Sequence, residues 1–429
     1  MAARQRARSP ARRPTLDPMR FSWVFTLLLG CGSASGARTE GGGLRPIVST
    51  DAGTAAADLV SPEPTVASPT ASIEELVPAG GTPIRAAGVT MTLFSRATVS
   101  GTVAPDRRSV VLVPVGRGAP RLRTATATVD LDAEGEVVSG SFSPDSRYLA
   151  LEEAGGTVRI YAVPSGRVVA SISGRMPRFD QRSMLLVAGS GCVVHVVDPR
   201  RPDARRQLGG SCDGRLQSFV PNGRIGLITK PAGFRLGLFP AYTRADWLEL
   251  DDPGDVVTVL GGARGRPFFM PQLSPTGTHL IYFDARFGLH LVDLASRAVV
   301  DLWPEDALRD PTFSPSGDRV LFEAGGSDHE PHDLWLYELG QPKPRSVMRE
   351  VVQESWAFLP NERRVVGHGG RDGFVVLETE GTRRWIVNRR GEEWEGVVLV
   401  PSDDEHVLVG RERGGTRDLW LVDLEPDAQ

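Results

Sequence analysis

The stretch that decides the fold is Phe142–Leu151, which reads Phe-Ser-Pro-Asp-Ser-Arg-Tyr-Leu-Ala-Leu. It returns at Leu273–Tyr282 as Leu-Ser-Pro-Thr-Gly-Thr-His-Leu-Ile-Tyr and at Phe313–Phe322 as Phe-Ser-Pro-Ser-Gly-Asp-Arg-Val-Leu-Phe. In each copy proline presets φ for the first corner of a turn, and Asp, Ser or Gly favour the next corner. An apolar run of strand length follows. The three copies therefore predict a repeated unit of a turn and a strand.

Weaker copies extend this pattern over most of the chain. They centre on Pro105, Asp180, Pro221, Pro360 and Pro401. Repeats of about 40 residues with about four short strands each are typical of propeller blades. We therefore expect an all-β propeller of about eight four-stranded blades over residues 83–427. Seven blades is the alternative, because one interval, before Pro275, is long and another, before Asp180, is short.

The two ends of the repeat region predict how the ring closes. The last repeat offers three strands, near 397–400, 406–410 and 418–424. The apolar segment Val89–Phe94 precedes the first repeat and can supply the fourth strand. Because this pairing would remove two exposed sheet edges, we expect residues 89–94 to pair with 418–424.

These repeats resemble the WD40-like propeller repeat of the TolB type over residues 84–424. The resemblance implies the fold and carries little about function. TolB proteins have a folded α/β domain before the propeller, whereas this chain has low-complexity sequence there. The TolB role in the Tol–Pal system is therefore not implied.

The N-terminal segment has the layout of a secretory signal. In residues 1–30, arginines precede the short apolar run Phe21–Leu29, and small residues follow it. A run of this length is too short to span a bilayer as a helix, which needs about 20 residues. We therefore predict a signal peptide over 1–30, with Met19 as a possible true start.

The end of this signal resembles the bacterial lipobox. The residues are Leu28-Leu29-Gly30-Cys31. The resemblance implies that Cys31 is lipidated, and Gly32 and Ser33 after it resemble the outer-membrane sorting pattern. We expect an outer-membrane lipoprotein of the cell envelope. Cleavage near 34–36, giving a soluble periplasmic or secreted protein, is the alternative.

Residues 31–82 predict a disordered tether behind the lipidated cysteine. After Cys31 they are rich in Gly, Ala, Ser, Thr and Pro and contain no aromatic residue. Such a composition buries too little apolar surface to offset the entropy of ordering.

The formal net charge of the chain is −4. Phosphate contacts need clustered basic residues, so we expect no nucleic-acid partner. We expect the protein to contact the membrane through its lipid anchor only.

Two cysteines follow the anchor, Cys192 and Cys212. They are symmetric about the proline-rich turn at 199–203, so an antiparallel hairpin would bring them roughly opposite each other. An exported protein meets an oxidising environment, which permits a disulfide. We predict a Cys192–Cys212 bond, with two separate free thiols as the alternative.

The sequence favours a binding function over catalysis. It has no nucleophile elbow, Walker loop or His-Glu-x-x-His motif, and we predict no cofactor. His329 and His332 are weak metal candidates in a polar loop, and we expect no metal there. The first hypothesis is a non-catalytic scaffold that binds a protein or cell-envelope partner through its rim loops. The alternative is a propeller enzyme, hydrolase-like or lactonase-like, with its site at the central channel.

Overall fold

The computed structural model describes most of the repeat region. The described residues are 83–86, 89–96, 98–114, 118–190, 193–208, 215–219, 225–236, 239–249, 256–261, 267–304, 311–325, 332–351, 356–369, 373–380, 384–387, 399–401, 403–413 and 416–424. They all belong to the unit Gly43–Gln429. The predicted signal peptide, Cys31 and the tether lie outside the described residues and stay predictions.

Every regular element among the described residues is a β-strand. The strands of the first half are β1 (Ile84–Ala86), β2 (Val89–Ser95), β3 (Thr98–Val103), β4 (Ser109–Pro114), β5 (Arg121–Thr124), β6 (Thr128–Asp130), β7 (Val137–Phe142), β8 (Tyr148–Glu153), β9 (Thr157–Ala162), β10 (Arg167–Ser173), β11 (Arg175–Phe179), β12 (Leu185–Ala188), β13 (Val194–Val197), β14 (Arg205–Leu208), β15 (Arg215–Phe219), β16 (Ile225–Leu236), β17 (Phe239–Glu249) and β18 (Val256–Gly261). Those of the second half are β19 (Phe268–Leu273), β20 (His279–Asp284), β21 (Leu289–Asp293), β22 (Val299–Trp303), β23 (Thr312–Phe313), β24 (Arg319–Ala324), β25 (His332–Glu338), β26 (Arg345–Val351), β27 (Trp356–Phe358), β28 (Arg364–Gly369), β29 (Gly373–Glu378), β30 (Arg384–Val387), β31 (Leu399–Pro401), β32 (His406–Arg413) and β33 (Thr416–Leu424).

The described strands form seven antiparallel sheets, the blades of a propeller. Five sheets hold four consecutive strands each: β3–β6, β7–β10, β11–β14, β23–β26 and β27–β30. A sixth sheet holds eight strands, β15–β22, because Tyr242 of β17 pairs with Phe268 of β19. Counted as continuous sheets, the blades number seven, which confirms the alternative count. The count of about eight is corrected because two four-stranded repeats share that sheet.

The predicted closure is confirmed in the seventh sheet, whose strand order is β1-β2-β33-β32-β31. Val89 of β2 pairs with Leu424 of β33, and Leu93 pairs with Trp420. The N-terminal strand therefore supplies the fourth strand of the last repeat, and β1 adds a fifth strand outside it.

We number the repeats 1 (β3–β6) to 7 (β27–β30) in chain order, with β15–β18 as repeat 4 and β19–β22 as repeat 5; repeat 8 is β31–β33 with β2.

The core lies between the repeats. Among the described residues, a cluster of buried apolar side chains fills each junction of consecutive repeats, including the junction of repeat 8 with repeat 1. First strands are innermost, since those of neighbouring repeats contact one another, for example β3 with β7 and with β31. They therefore line the central channel.

The Ser-Pro turns are built around a buried serine. Ser143, Ser274 and Ser314 are all 0% exposed. The Oγ of Ser143 accepts the backbone N–H of Tyr148 at 2.9 Å, and that of Ser314 accepts the N–H of Arg319 at 3.2 Å. The hydroxyl thus satisfies a backbone donor at the start of the second strand that would otherwise be buried without a partner.

The ring has two ends, which we name by what they carry. The turn rim is the end where first and second strands are joined, so it holds the Ser-Pro turns. Neighbouring turns bond one another there; Asn361 N–H donates to Asp404 at 2.7 Å, and Arg107 pairs with Asp403 at 3.5 Å. The hairpin rim is the opposite end, where second and third strands are joined.

Candidate functional site

Within the described ranges, the hairpin rim carries one hairpin that is much longer than its counterparts in other repeats. The strands β16 and β17 have 12 and 11 residues, whereas the second strands β8 and β20 have 6 each. Their pairing continues beyond Lys230 through irregular register to Leu236 opposite Phe239. This extra ribbon explains the long interval before Pro275. We call residues 231–242 the rim ribbon.

The rim ribbon lies against the neighbouring repeats. Ala241 is 1% exposed and belongs to the same buried cluster as Phe269 and Phe283 of repeat 5 and Phe322 of repeat 6. Near the base of the ribbon, the ring of Tyr242 contacts that of Phe268 with centroids 5.8 Å apart. The ribbon is therefore anchored at repeats 5 and 6 by apolar contacts.

Beside this anchor, a histidine in repeat 5 is held between two carboxylates. His290 Nδ1 lies 2.7 Å from Asp301 and its Nε2 lies 3.4 Å from Asp284. The ring of Tyr282 stacks on the imidazole at 5.0 Å, and burial raises the pKa of Tyr282 to about 12. These contacts hold both ring nitrogens of His290, so the orientation of the imidazole in repeat 5 is fixed.

The first strand of repeat 3 contains a strained bulge. Met176 has φ +53° although Pro177 follows it, a combination that the ring of proline disfavours. The buried carboxylate of Glu152 in repeat 2 accepts the Met176 N–H at 2.9 Å and the Ser139 hydroxyl at 2.8 Å. Glu152 therefore ties the bulge of β11 to the first strand of repeat 2.

The bulge places two arginines on one side of the sheet. Arg175 pairs with Ala188 and Arg178 with Leu186, two residues apart on β12. The Arg178 side chain is exposed, yet desolvation by surrounding protein lowers its pKa, an effect that Glu152 partly opposes. A guanidinium that reaches solvent while enclosed by protein fits a side chain lining the central channel.

A second carboxylate occupies the same repeat position as Glu152. Glu323 in β24 is 3% exposed and accepts Trp356 Nε1–H from the next repeat at 2.8 Å. Repeats 4 and 5 have Thr229 and Phe283 at this position. The two buried carboxylates therefore vary between repeats and are not required by the blade itself.

Another buried charge in repeat 2 holds a connecting loop in place. Arg159 Nε lies 2.7 Å from Glu153, and its Nη2 lies 2.5 Å from Glu134 in the loop before β7. Hydrogen bonding to Glu134 raises the pKa of Arg159. Desolvation by burial lowers this pKa, but the charges of Glu153 and Glu134 raise it further, and the net shift is upwards. The hydroxyl of Tyr161 donates to Asp132 O at 2.9 Å. This network fixes one loop of the hairpin rim.

The predicted site residues are mostly beyond the described part of the chain. Cys31, Cys192, Cys212 and His329 lie outside it, so lipidation and the disulfide stay predictions. His332 begins β25 and is 3% exposed, so it is a buried strand residue and not part of a polar loop. Within the described ranges, no three potential ligands lie close enough to hold a metal ion. No helix in those ranges is long and apolar enough to cross a membrane.

Sequence reasoning missed the rim ribbon and the bulge in β11. The long interval before Pro275 was the signal for the ribbon. The signal for the bulge was the dipeptide Met176-Pro177, which recurs as Met270-Pro271 at the same place in repeat 5. The buried carboxylates gave no signal, because a Glu at a strand end is also common at exposed positions.

Comparison with known proteins supports the fold alone. No family model and no curated protein matches the sequence. Among solved structures, the chain is similar to the Dos1 propeller, with TM-score 0.56, 11% identity and coverage of 78% of this chain and 93% of that one. It is also similar to an oligogalacturonate lyase in complex with manganese, with TM-score 0.55, 11% identity and coverage of 82% and 98%.

A third similar structure is Sqt1 of Chaetomium thermophilum, bound to the N-terminus of ribosomal protein L10. The TM-score is 0.52 at 16% identity, covering 77% of this chain and 97% of that one. At such identities the three similarities agree on the architecture and leave activity open. The chain is thus a β-propeller whose structural neighbours include WD40 propellers and a propeller lyase.

Proposed function

We propose that this protein is an exported propeller scaffold that binds a protein partner through the rim ribbon. The observation that carries the proposal is the ribbon itself. It interrupts an otherwise regular repeat, and buried contacts at Ala241 anchor it to repeats 5 and 6. Binding segments are usually loops held on a rigid scaffold. Sqt1 shows that a propeller of similar architecture binds a segment of another protein.

Site-specific photo-crosslinking in intact cells tests this proposal. A photoreactive phenylalanine replaces Phe234 in the ribbon, and the matched control replaces Thr126, an exposed residue of the β5–β6 turn on the turn rim. We expect a discrete protein adduct from position 234 and none from position 126. No adduct at 234, or the same adduct at both positions, would contradict the proposal.

The scaffold is proposed to be held at the membrane by lipid on Cys31. The support is the sequence Leu28-Leu29-Gly30-Cys31 after a short apolar run. Mass spectrometry of the mature N-terminus should find a diacylated or triacylated Cys31, and Cys31→Ala should move the protein from the membrane to the soluble fraction. An unmodified N-terminus near residue 37 would replace this idea with a soluble exported protein.

A second candidate function is catalysis at the central channel. It is favoured by the placement of Glu152 and Arg178 near the first strands, and one similar structure is an oligogalacturonate lyase. Turnover of lactones, aryl esters or oligogalacturonate by the purified protein, lost in Glu152→Gln, would support catalysis. Absence of turnover across that panel would leave the scaffold as the function.

A further inference from the structure

We propose that Arg178 binds an oxyanion, the carboxylate or phosphate group of a small molecule, in the central channel. The proposal is independent of the partner at the rim ribbon. It depends on three observations about β11: the side of the sheet on which the bulge places the arginines, the absence of a bonding partner for Arg178 among the described residues, and the hydrogen bond between the bulge and Glu152.

The bulge determines where Arg178 stands. In a regular strand, residues three apart point to opposite faces. Here Met176 and Pro177 form the bulge between Arg175 and Arg178, so both arginines share one side of the sheet. Bulges commonly re-aim side chains next to functional sites. Met176 has a positive φ, and its N–H donates to the buried carboxylate of Glu152.

The guanidinium of Arg178 has no bonding partner within the described ranges. Among the described residues, it makes no ion pair and no hydrogen bond, in contrast to the buried Arg159 with its three carboxylates. Glu152 attracts it electrostatically but directs its own oxygens to Met176 and Ser139. The planar guanidinium therefore keeps its donors available, in the geometry that matches a carboxylate or phosphate.

Repeat 5 provides an internal comparison. Its first strand has the same bulge, with Met270 at φ +48° before Pro271. There Gln272 stands at the position of Arg178, and Phe269 at that of Arg175. The bulge therefore forms without arginine, and the cations of repeat 3 are not needed to build it. Gln272 also shows that glutamine is compatible with this backbone position.

The experiment compares Arg178→Gln with Arg182→Gln. Arg182 is exposed in the β11–β12 turn on the turn rim, so its variant removes the same charge outside the channel. Inorganic phosphate and succinate are the two probes, titrated calorimetrically into the full exported protein at low ionic strength, where screening is weak. Melting temperatures without probe establish that each variant is folded.

We expect the wild-type protein and Arg182→Gln to bind at least one probe with equal affinity. Arg178→Gln should bind that probe about 10-fold or more weakly, since a charge-assisted bidentate contact is lost. Binding of phosphate alone or succinate alone identifies the ligand group. The proposal is overturned if the wild-type protein binds neither probe, or if both variants weaken binding equally.

Discussion

Phe94 is the residue at which closure of the ring can be tested by one substitution. It lies in the N-terminal strand β2 and is 0% exposed. It packs between repeats 8 and 1, against Leu408 and Leu419 on one side and Val110 on the other. The guanidinium of Arg123 in repeat 1 lies 5.2 Å from the centre of its ring. Phe94 therefore joins the end of the ring to its beginning.

The cost of Phe94→Ala follows from these contacts. Truncating a fully buried phenylalanine typically costs about 3–5 kcal/mol, and the cation–π contact adds about 0.5–1 kcal/mol. The substitution leaves the backbone oxygen of residue 94, which accepts from Arg123 at 2.7 Å, and the backbone pairing of β2 with β33 does not use this side chain. Since domains are stable by about 5–15 kcal/mol in total, the loss is a large fraction of the stability of the ring.

The assay is urea denaturation followed by tryptophan fluorescence. The matched control is Thr92→Ala, a partly buried position in the same strand, which should cost less than about 1 kcal/mol. The reasoning would be refuted if Phe94→Ala and Thr92→Ala unfolded at the same urea concentration. Deleting residues 83–95 should lower the melting temperature of the whole ring, and an unchanged melting temperature would show that closure does not stabilise it.

Three further predictions concern the turns and the buried network. Ser143→Ala removes the acceptor of the Tyr148 N–H and should lower the free energy of unfolding by about 1–3 kcal/mol, whereas the exposed Ser165→Ala should be near neutral. Burial raises the pKa of Tyr161 from 10.0 to about 12. The contribution of the neutral phenol to the free energy of unfolding is therefore complete below pH 10 and is lost as the pH rises towards 12. Tyr161→Phe should make the free energy of unfolding vary less between pH 10 and 12. Burial alone would raise the pKa of Asp403, but hydrogen bonds from His406 and the backbone outweigh it and lower the pKa below its ordinary 3.8. Asp403 thus stabilises above that pH, and Asp403→Asn should reduce the loss of stability on acidification.

The repeat and its closure could be predicted because local chemistry specifies them. A Ser-Pro turn satisfies its own backbone through the serine hydroxyl, so the pattern around Ser143 is visible wherever it occurs. Closure followed from pairing chemistry, since a three-stranded last repeat leaves an edge that Val89–Phe94 can cover. The number of blades was harder to predict from the sequence. Two repeats merge into one sheet through the pairing of Tyr242 with Phe268, and this pairing is a contact between separate repeats.

The residues around the bulge of β11 could not be predicted, for a related physical reason. Glu152 and the exposed Glu380 look alike in sequence, and only packing against the next repeat distinguishes them. The pairing of a strained Met176 with a carboxylate 24 residues earlier likewise depends on the ring bringing repeats 2 and 3 together. Contacts between repeats are set by tertiary structure, and sequence periodicity carries no record of them.

In a repeat protein, function is to be sought where equivalent positions differ. The Met-Pro bulge occurs in β11 and in β19, with a positive φ at the methionine in both, so the backbone feature alone belongs to the architecture. Only β11 adds arginines to it and only repeat 2 supports it with a buried carboxylate. Burying a carboxylate costs free energy unless hydrogen bonds compensate. Because the repeat-5 bulge forms with Thr229 at that position, the buried carboxylate distinguishes repeat 2, and it lies beside the oxyanion site that we propose at Arg178.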